Sequence, residues 1–228
     1  MKSIKILICF LALAFAACEK DNYDGPTAGL SGRFIDVQTG ELVQQDIIRG
    51  TTIEILEHGY ENVQPQYLVV KNDGTYANTM LFANTYTITP VRGNFIALKS
   101  QDIAIKGQTT LDFEVTPYIR IKDVNITRNS ENTVLATFKL EQNVINNVKK
   151  IGLYVHTDSR VGEPMRLAAQ EVELNAVSDP DHLYSIEMNT YDRRSEIPAG
   201  KSYYFRVGAL IDIGEAKFNY YQAQQIDL

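Results

Sequence analysis

Side chains suited to catalysis are few in this chain. Its three histidines, His58, His156 and His182, are far apart and occur in none of the spacings that bind zinc. The sequence contains no Gly-x-Ser-x-Gly nucleophile elbow and no phosphate-binding loop. The two carboxylates of a glycosidase can be far apart in sequence and meet only in the folded protein. Sequence spacing therefore does not show whether such a pair is present. We therefore predict a non-enzymatic protein without a cofactor or a metal centre.

The short segment from Ser178 to His182 brings two carboxylates and an imidazole together. Oxygen ligands this close in sequence are typical of calcium sites. The dipeptide Asp179-Pro180 is equally typical of a surface turn, in which the aspartate side chain accepts a hydrogen bond from the backbone. We favour the turn and predict no metal at Asp179, Asp181 and His182.

Tyrosine is the residue type that most suggests a binding surface. The chain has 13 tyrosines and no tryptophan. Neighbouring residues of a strand point to opposite faces, so some of these rings are expected outside. Exposed rings stack on sugars or on partner proteins, although strands carry surface tyrosines without any ligand as well. We expect the long segment from Val161 to His182 to frame a groove beside the candidate ligand-binding residues, which are Tyr154, His156, Tyr184, Tyr191 and Tyr204.

The N-terminal residues have the pattern of a secretory signal. Lys2 and Lys5 precede an uncharged apolar run from Ile6 to Phe15. This run is too short to span a membrane, which takes roughly 20 apolar residues. The next residues, Ala16-Ala17-Cys18, resemble the bacterial lipobox, in which the signal is removed and the cysteine sulfur is acylated. The resemblance implies a signal peptide over residues 1–17.

Cys18 is thus the predicted lipidation site, and residues 18–27 form a lipidated tether that includes Gly25-Pro26. Acyl chains contribute about 0.8 kcal/mol per buried methylene, so several of them hold a protein durably at a membrane. The acidic residues from Glu19 to Asp24 are similar to the export signal of Bacteroidota surface lipoproteins. The resemblance implies a lipid-anchored protein of the outer membrane that faces the cell exterior.

Charge and length limit the remaining possibilities. Removal of residues 1–17 leaves 211 of the 228 residues and changes the formal charge from −6 to −8. An acidic chain lacks the concentrated basic patch that nucleic acid requires, so we expect no nucleic-acid partner. Cys9 leaves with the signal peptide and Cys18 carries lipid, so we expect no disulfide within the mature chain.

From Leu30 onward the sequence shows short β-branched and aromatic runs with alternating polarity and turn residues between them. Leu111, Phe113 and Val115, for example, alternate with Asp112 and Glu114. No segment keeps a helical period over three turns. The sequence predicts an all-β protein with two tandem β-sandwich domains after the cleaved signal peptide.

Residues 28–116 contain four motifs in a recognisable order, namely Gly32-Arg33-Phe34-Ile35-Asp36, Thr39-Gly40-Glu41, Asp73-Gly74-Thr75-Tyr76 and Thr85-Tyr86-Thr87-Ile88. Asp73-Gly74 is a strong turn signal, because glycine tolerates the positive φ that such turns require. The motifs together resemble the carboxypeptidase regulatory-like domain, which implies a seven-stranded, transthyretin-like sandwich with a non-catalytic role.

Residues 117–228 form the second predicted domain, because Pro117 cannot donate to a central strand ladder. Its most specific run, Ile197 to Ala209, is similar to the sixth strand of fibronectin type III domains. The resemblance implies an immunoglobulin-like sandwich in which Tyr203 is buried at a corner and bonds to the upstream backbone. We expect this half to fold alone, since it has its own alternating strands.

The whole chain is similar to the accessory lipoproteins of starch-utilisation-type systems in Bacteroidota. That resemblance implies glycan capture beside an outer-membrane transporter complex, and the glycan and the transporter are the expected partners. The alternative is a structural or protein-interaction scaffold without a ligand of its own. The missing tryptophan counts against glycan capture, because sugar-binding surfaces use this residue often.

Overall fold

A computed structural model of the chain describes residues 24–228. The predicted signal peptide, Cys18 and the first part of the predicted tether lie outside these residues. The described chain forms strands and turns and contains no helix, which confirms the all-β prediction. Accordingly, no helix within the described range has the length and apolar character to cross a membrane.

The first half of the chain folds into eight strands that form two sheets. The strands are β1 (Ala28–Asp36), β2 (Thr52–Glu57), β3 (Gln66–Val69), β4 (Thr75–Leu81), β5 (Asn84–Val91), β6 (Gln101–Ile105), β7 (Gln108–Thr110) and β8 (Phe113–Val115). One sheet has the order β4-β1-β7, with β8 also paired to β1, and the other has the order β3-β2-β5-β6.

β7 and β8 are two parts of one interrupted strand. Both pair in parallel with β1, first at Gly29 to Ser31 and then at Phe34 to Asp36, and the register is the same in both parts. Counted in this way, the first half has the seven strands that the sequence resemblance implies. The alternating apolar residues of the two sheets meet in one core, where Phe34 stacks on Phe95 and on Phe113 with ring centroids 5.1 and 5.0 Å apart.

The second half also folds into eight strands in two sheets. The strands are β9 (Ile119–Ser130), β10 (Thr133–Gln142), β11 (Val148–His156), β12 (Ala168–Ala176), β13 (Tyr184–Asn189), β14 (Ser202–Ile211), β15 (Asn219–Tyr220) and β16 (Gln224–Asp227). The sheet orders are β13-β10-β9 and β12-β11-β14-β15, and β16 pairs with β14 beyond β15. Because β15 and β16 pair with the same strand in succession, they act as one seventh strand.

The predicted corner tyrosine is in place on β14, the sixth strand of this half. Tyr203 is 1% exposed, and its hydroxyl donates a hydrogen bond of 2.9 Å to the carbonyl of Pro198. The inward residues of β14 pack into the second core, as the alternation predicts; they are Phe205, Val207, Ala209 and Ile211. This core contains residues from 119 onward and shares none with the core of the first half.

The segment from Val161 to His182 contains a strand. Nine of its 22 residues form the edge strand β12, which pairs with β11 along nearly its whole length. Within β12, the residues from Glu171 to Leu174 alternate apolar and acidic side chains, yet only one face is covered by the core. Residues 166–171 and Arg193 line a depression of about 400 Å³, but none of the five candidate ligand-binding residues lies in its lining.

Candidate functional site

A cleft of about 520 Å³ lies between the two sandwiches. Its walls come from the turn after β1, from the beginning of β9 and from the segment that follows β15. The residues that line it are Asp36, Gln38, Thr39, Glu41, Leu42, Val43, Gln44, Pro117, Ile119, Arg120, Ile121, Lys122, Glu141, Asn219, Tyr220, Tyr221 and Gln222.

A buried ion pair between the domains forms the base of the cleft. Nε and Nη2 of Arg120, on β9, donate to the two carboxylate oxygens of Asp36, at the end of β1, at 2.6 and 2.8 Å. Its remaining nitrogen, Nη1, donates to Glu141 and to Asn143 at 2.9 and 2.8 Å. The two side chains of the pair are each 7% exposed. This bidentate geometry fixes β1 against β9.

The charges in the cleft stabilise one another. Burial alone would raise the pKa of Asp36, but hydrogen bonds from Arg120 and from the backbone of Gln38 outweigh it, so this pKa is lowered. The pKa of Glu141 is lowered mainly by its hydrogen bond from Lys122. Arg120 has a raised pKa because Asp36 accepts its hydrogen bonds. The pKa of Lys122 is likewise raised by its hydrogen bond to Glu141, so all four side chains are charged at neutral pH.

The rim of the cleft offers polar groups and one aromatic ring to solvent. Tyr221 is 37% exposed. Within residues 24–228, no hydrogen bond reaches the Tyr221 hydroxyl, the Gln222 amide or the Glu41 carboxylate. Leu42 and Pro117 contribute apolar surface between them. This combination suits a ligand with hydroxyl groups on its edges and an apolar ring face, because each polar group at the rim can form a new hydrogen bond.

Arg206, on β14, donates hydrogen bonds to two residues that line the cleft. It is 1% exposed, and its guanidinium donates to the backbone carbonyls of Gln45, Val161, Asn72 and Tyr221 and to the side chain of Gln44. Burial lowers its pKa to about 10. Since Gln44 and Tyr221 line the cleft, this one side chain connects the cleft wall to the outer face of β14.

Asp46 and Tyr220 complete the contact between the domains. The Tyr220 hydroxyl donates to Oδ2 of Asp46 at 2.8 Å, and the Arg206 guanidinium lies 4.3 Å from the centroid of the Tyr220 ring. Burial raises the pKa of Asp46. Two asparagines add reciprocal bonds, because Asn94 donates to the carbonyl of Phe218 and Asn219 donates to that of Asn94. A continuous layer of buried hydrogen bonds thus joins the two sandwiches.

The face of β11 on which the sequence places a ligand site is covered. Tyr154 is fully buried and lies against the rings of Phe218 and Tyr220, at centroid distances of 5.8 and 6.2 Å. Its hydroxyl donates to Glu171 at 2.7 Å. The prediction that Tyr154 is an exposed ligand-binding residue is wrong. Alternation identified its face correctly, but a second layer of side chains packs on that face.

Two paired glycines make room for this layer. Gly152 on β11 lies opposite Gly208 on β14. A Cβ atom at Gly152 would lie 2.5 Å from the Tyr154 hydroxyl, and one at Gly208 would lie 2.7 Å from the Tyr220 ring. The tyrosine rings therefore pack directly on the sheet backbone.

Of the other four predicted ligand residues, the structure brings only His156 and Tyr204 together. His156 and Tyr204 are cross-strand partners and half-buried, and Nδ1 of His156 accepts a hydrogen bond from the backbone of Asp158. Tyr184 lies in the other sheet, where its ring stacks on Phe138. Tyr191, at 55% exposure, is covered by the guanidinium of Arg194 at 4.1 Å. None of the five predicted residues lines the cleft.

The segment from Ser178 to His182 forms the Asx turn that the sequence favours. The backbone of Asp181 donates to Oδ1 of Asp179 at 2.9 Å, and the ring of His182 lies edge-on to Tyr184. In the part of the chain that the structure describes, no three His, Cys, Asp or Glu side chains form a potential metal-binding group.

Two family models together match nearly the whole described chain. Residues 28–116 match "Protein of unknown function (DUF3823) N-terminal domain", and residues 119–225 match "Domain of unknown function (DUF3823_C)". No protein of curated function matches the chain.

Solved structures share the two-domain fold of this chain. A structure described as a "putative carbohydrate binding protein" from Bacteroides uniformis is 33% identical, with a TM-score of 0.83 over 90% of this chain and 100% of that one. A DUF3823 family protein from Parabacteroides merdae, at 21% identity, shares the fold with a TM-score of 0.76 over 90% of this chain and 100% of its own. The chain is therefore a member of the DUF3823 family.

Proposed function

We propose that this protein is a non-catalytic, glycan-binding lipoprotein that binds its ligand in the cleft between the two sandwiches. The observation that carries the proposal is the cleft itself, whose rim presents Tyr221, Gln222 and Glu41 above a rigid base of ion pairs. Sugars are bound by this kind of mixed surface, on which an aromatic ring contacts the apolar face and polar side chains bind the hydroxyl groups. The relative from Bacteroides uniformis, whose description refers to carbohydrate binding, supports the same ligand class.

The state of the two carboxylates at the base of the cleft, Asp36 and Glu141, supports a non-catalytic role. Glycoside hydrolysis requires a carboxylic acid whose raised pKa keeps it protonated at neutral pH. The pKa values of Asp36 and Glu141 are both lowered, and their oxygens already accept hydrogen bonds from Arg120 and Lys122. The pKa of Asp46 is raised, but this residue is 4% exposed and lies outside the cleft lining.

Calorimetry with a panel of polysaccharides tests the ligand and the site together. The protein is used as a soluble chain without residues 1–18, which keeps every described residue, 24–228. We expect weak binding to at least one glycan and a loss of about tenfold in affinity, ~1.4 kcal/mol, for Tyr221→Ala, because the stacking surface is removed. Tyr191→Ala is the matched control, since this exposed tyrosine lies away from the cleft.

Binding that is unchanged in Tyr221→Ala but lost in Tyr191→Ala would move the site to the second domain. If no glycan binds, and the protein instead co-purifies with an outer-membrane transporter, the scaffold function replaces this proposal.

The anchor proposed at Cys18 has its own test. We expect Cys18→Ala to leave the membrane fraction and to lose metabolic labelling with palmitate, because no residue remains to carry the acyl chains. External protease added to intact cells should degrade the wild-type protein, in keeping with a position on the cell exterior. A membrane-bound, labelled Cys18→Ala protein would contradict the anchor, and protection from protease would place the protein on the periplasmic face.

A further inference from the structure

The charged side chains that line the cleft bear on the class of glycan that it binds, a step that rests on the proposed function. We propose that the cleft selects uncharged saccharides and rejects those that carry carboxylate or sulfate groups. Acidic and neutral polysaccharides have similar hydroxyl patterns, so the distinction depends on whether the cleft holds a cation that is free to pair with an anionic sugar.

The guanidinium of Arg120, at the base of the cleft, already pairs with two carboxylates and uses four of its five N–H donors. Both carboxylate oxygens of Asp36 and one oxygen of Glu141 accept hydrogen bonds from Arg120, and Asn143 takes the remaining contact of Nη1. The guanidinium is also 7% exposed. An anionic sugar would have to displace a buried carboxylate to reach it, and that step leaves a charge without a partner in a place poor in water.

The second cation is paired as well. Nζ of Lys122 donates to Oε2 of Glu141 at 2.9 Å. Glu141 therefore lies between two cations and neutralises part of both charges. Lys122 is half-exposed, so an anion could approach it, but only in competition with Glu141.

A carboxylate without a compensating cation remains at the rim. Glu41 is exposed and lines the cleft, and in the described part of the chain no side chain forms an ion pair with it. The cleft lining thus holds three carboxylates, Asp36, Glu41 and Glu141, against the two cations Arg120 and Lys122. The unpaired group accepts hydrogen bonds from sugar hydroxyls, while it repels a uronate or a sulfate at the same distance.

The experiment compares neutral with acidic polymers in calorimetry at low ionic strength. The neutral probes are xyloglucan, galactomannan and amylopectin, and the acidic probes are polygalacturonate, alginate and chondroitin sulfate. We expect the wild-type protein to bind among the neutral probes and to bind each acidic probe at least about tenfold more weakly. Glu41→Lys should strengthen binding to the acidic probes by about tenfold, and this gain should shrink as salt is added.

Glu61→Lys is the matched control, because it makes the same change in net charge at an exposed position outside the cleft. It should leave all affinities within about twofold, since exposed charges at a distance are screened. Acidic probes that bind the wild-type protein as tightly as neutral ones contradict this inference alone. An equal gain for Glu61→Lys and Glu41→Lys also contradicts it, because net charge and not the cleft would then decide. Absence of binding to all six probes contradicts the proposed function itself.

Discussion

Tyr203 and Tyr204 are neighbours in β14, and the extended backbone sends their side chains to opposite faces of the sheet. Tyr203 enters the core and donates a hydrogen bond to the carbonyl of Pro198, whereas Tyr204 is half-buried on the outer face. Identical side chains one residue apart therefore have different energetic roles, and this difference can be measured.

We expect Tyr203→Phe to lower the free energy of unfolding by about 1–3 kcal/mol, because the Pro198 carbonyl loses its buried donor. Tyr204→Phe is the matched control and should change stability by less than about 0.5 kcal/mol. Urea denaturation followed by fluorescence measures both. Equal effects of the two changes would contradict the assignment of Tyr203 to the core and of Tyr204 to the outer face.

The residues of the cleft were harder to predict than the corner tyrosine. A corner tyrosine belongs to a local sequence pattern, whereas Asp36 and Arg120 are 84 residues apart and meet only through the packing of two domains. One signal was available at Arg206, which is the single charged residue in the run from Tyr203 to Ile211. A charged side chain in such a run is costly unless it is paired, so this position indicated buried partners. Arg120 gave no such signal, because Ile119-Arg120-Ile121-Lys122 has the ordinary alternation of a strand with one exposed face.

At the scale of strands, the alternation of apolar and polar residues accounts for the inward positions of β10, β11 and β14. It failed for β12, whose Ala168–Ala176 segment is exposed along much of its length and has only two large apolar residues, Val172 and Leu174. An edge strand of this kind is stabilised by backbone pairing with β11 more than by burial, so its pattern is weak. Alternation also identifies a face without saying what covers it, which explains the error at Tyr154.

The paired glycines of β11 and β14 lead to a prediction about this covered face. We expect Gly208→Ala to destabilise the protein by about 1–3 kcal/mol, because the new methyl group would displace the Tyr220 ring from 2.7 Å. Gly214→Ala is the matched control, since nothing lies within 4 Å of its added Cβ. Thermal denaturation compares the two variants. A Gly208→Ala protein as stable as the control would show that the ring does not pack on the backbone there.

At the scale of the whole molecule, Asp36 connects the domains and should make their stability depend on pH. Its pKa is lower in the folded protein than in the unfolded chain. A group of this kind stabilises the fold above its unfolded pKa, and that contribution is lost as the pH falls through the folded pKa. The effect of Asp36 should therefore be full at pH 7 and should decline below about pH 4.

We expect Asp36→Asn to lower the free energy of unfolding by about 3 kcal/mol at pH 7, because Arg120 remains buried with a weakened partner. The difference from the wild type should be nearly unchanged at pH 5 and should narrow at pH 3. Asp181→Asn, at an exposed turn, should be silent at each pH. Urea denaturation at the three pH values measures this, and a difference that stays constant with pH would show that Asp36 does not carry the dependence.

β1 also has a consequence for where a ligand is held. Its nine residues begin at Ala28, next to the tether, and end at Asp36 in the cleft base, so the strand spans about 26 Å. With the chain anchored through Cys18, as proposed, the anchored end of the fold and the bound sugar are one strand length apart. This distance is set by the hydrogen-bonded backbone of β1, so it stays the same wherever the fold moves on the membrane.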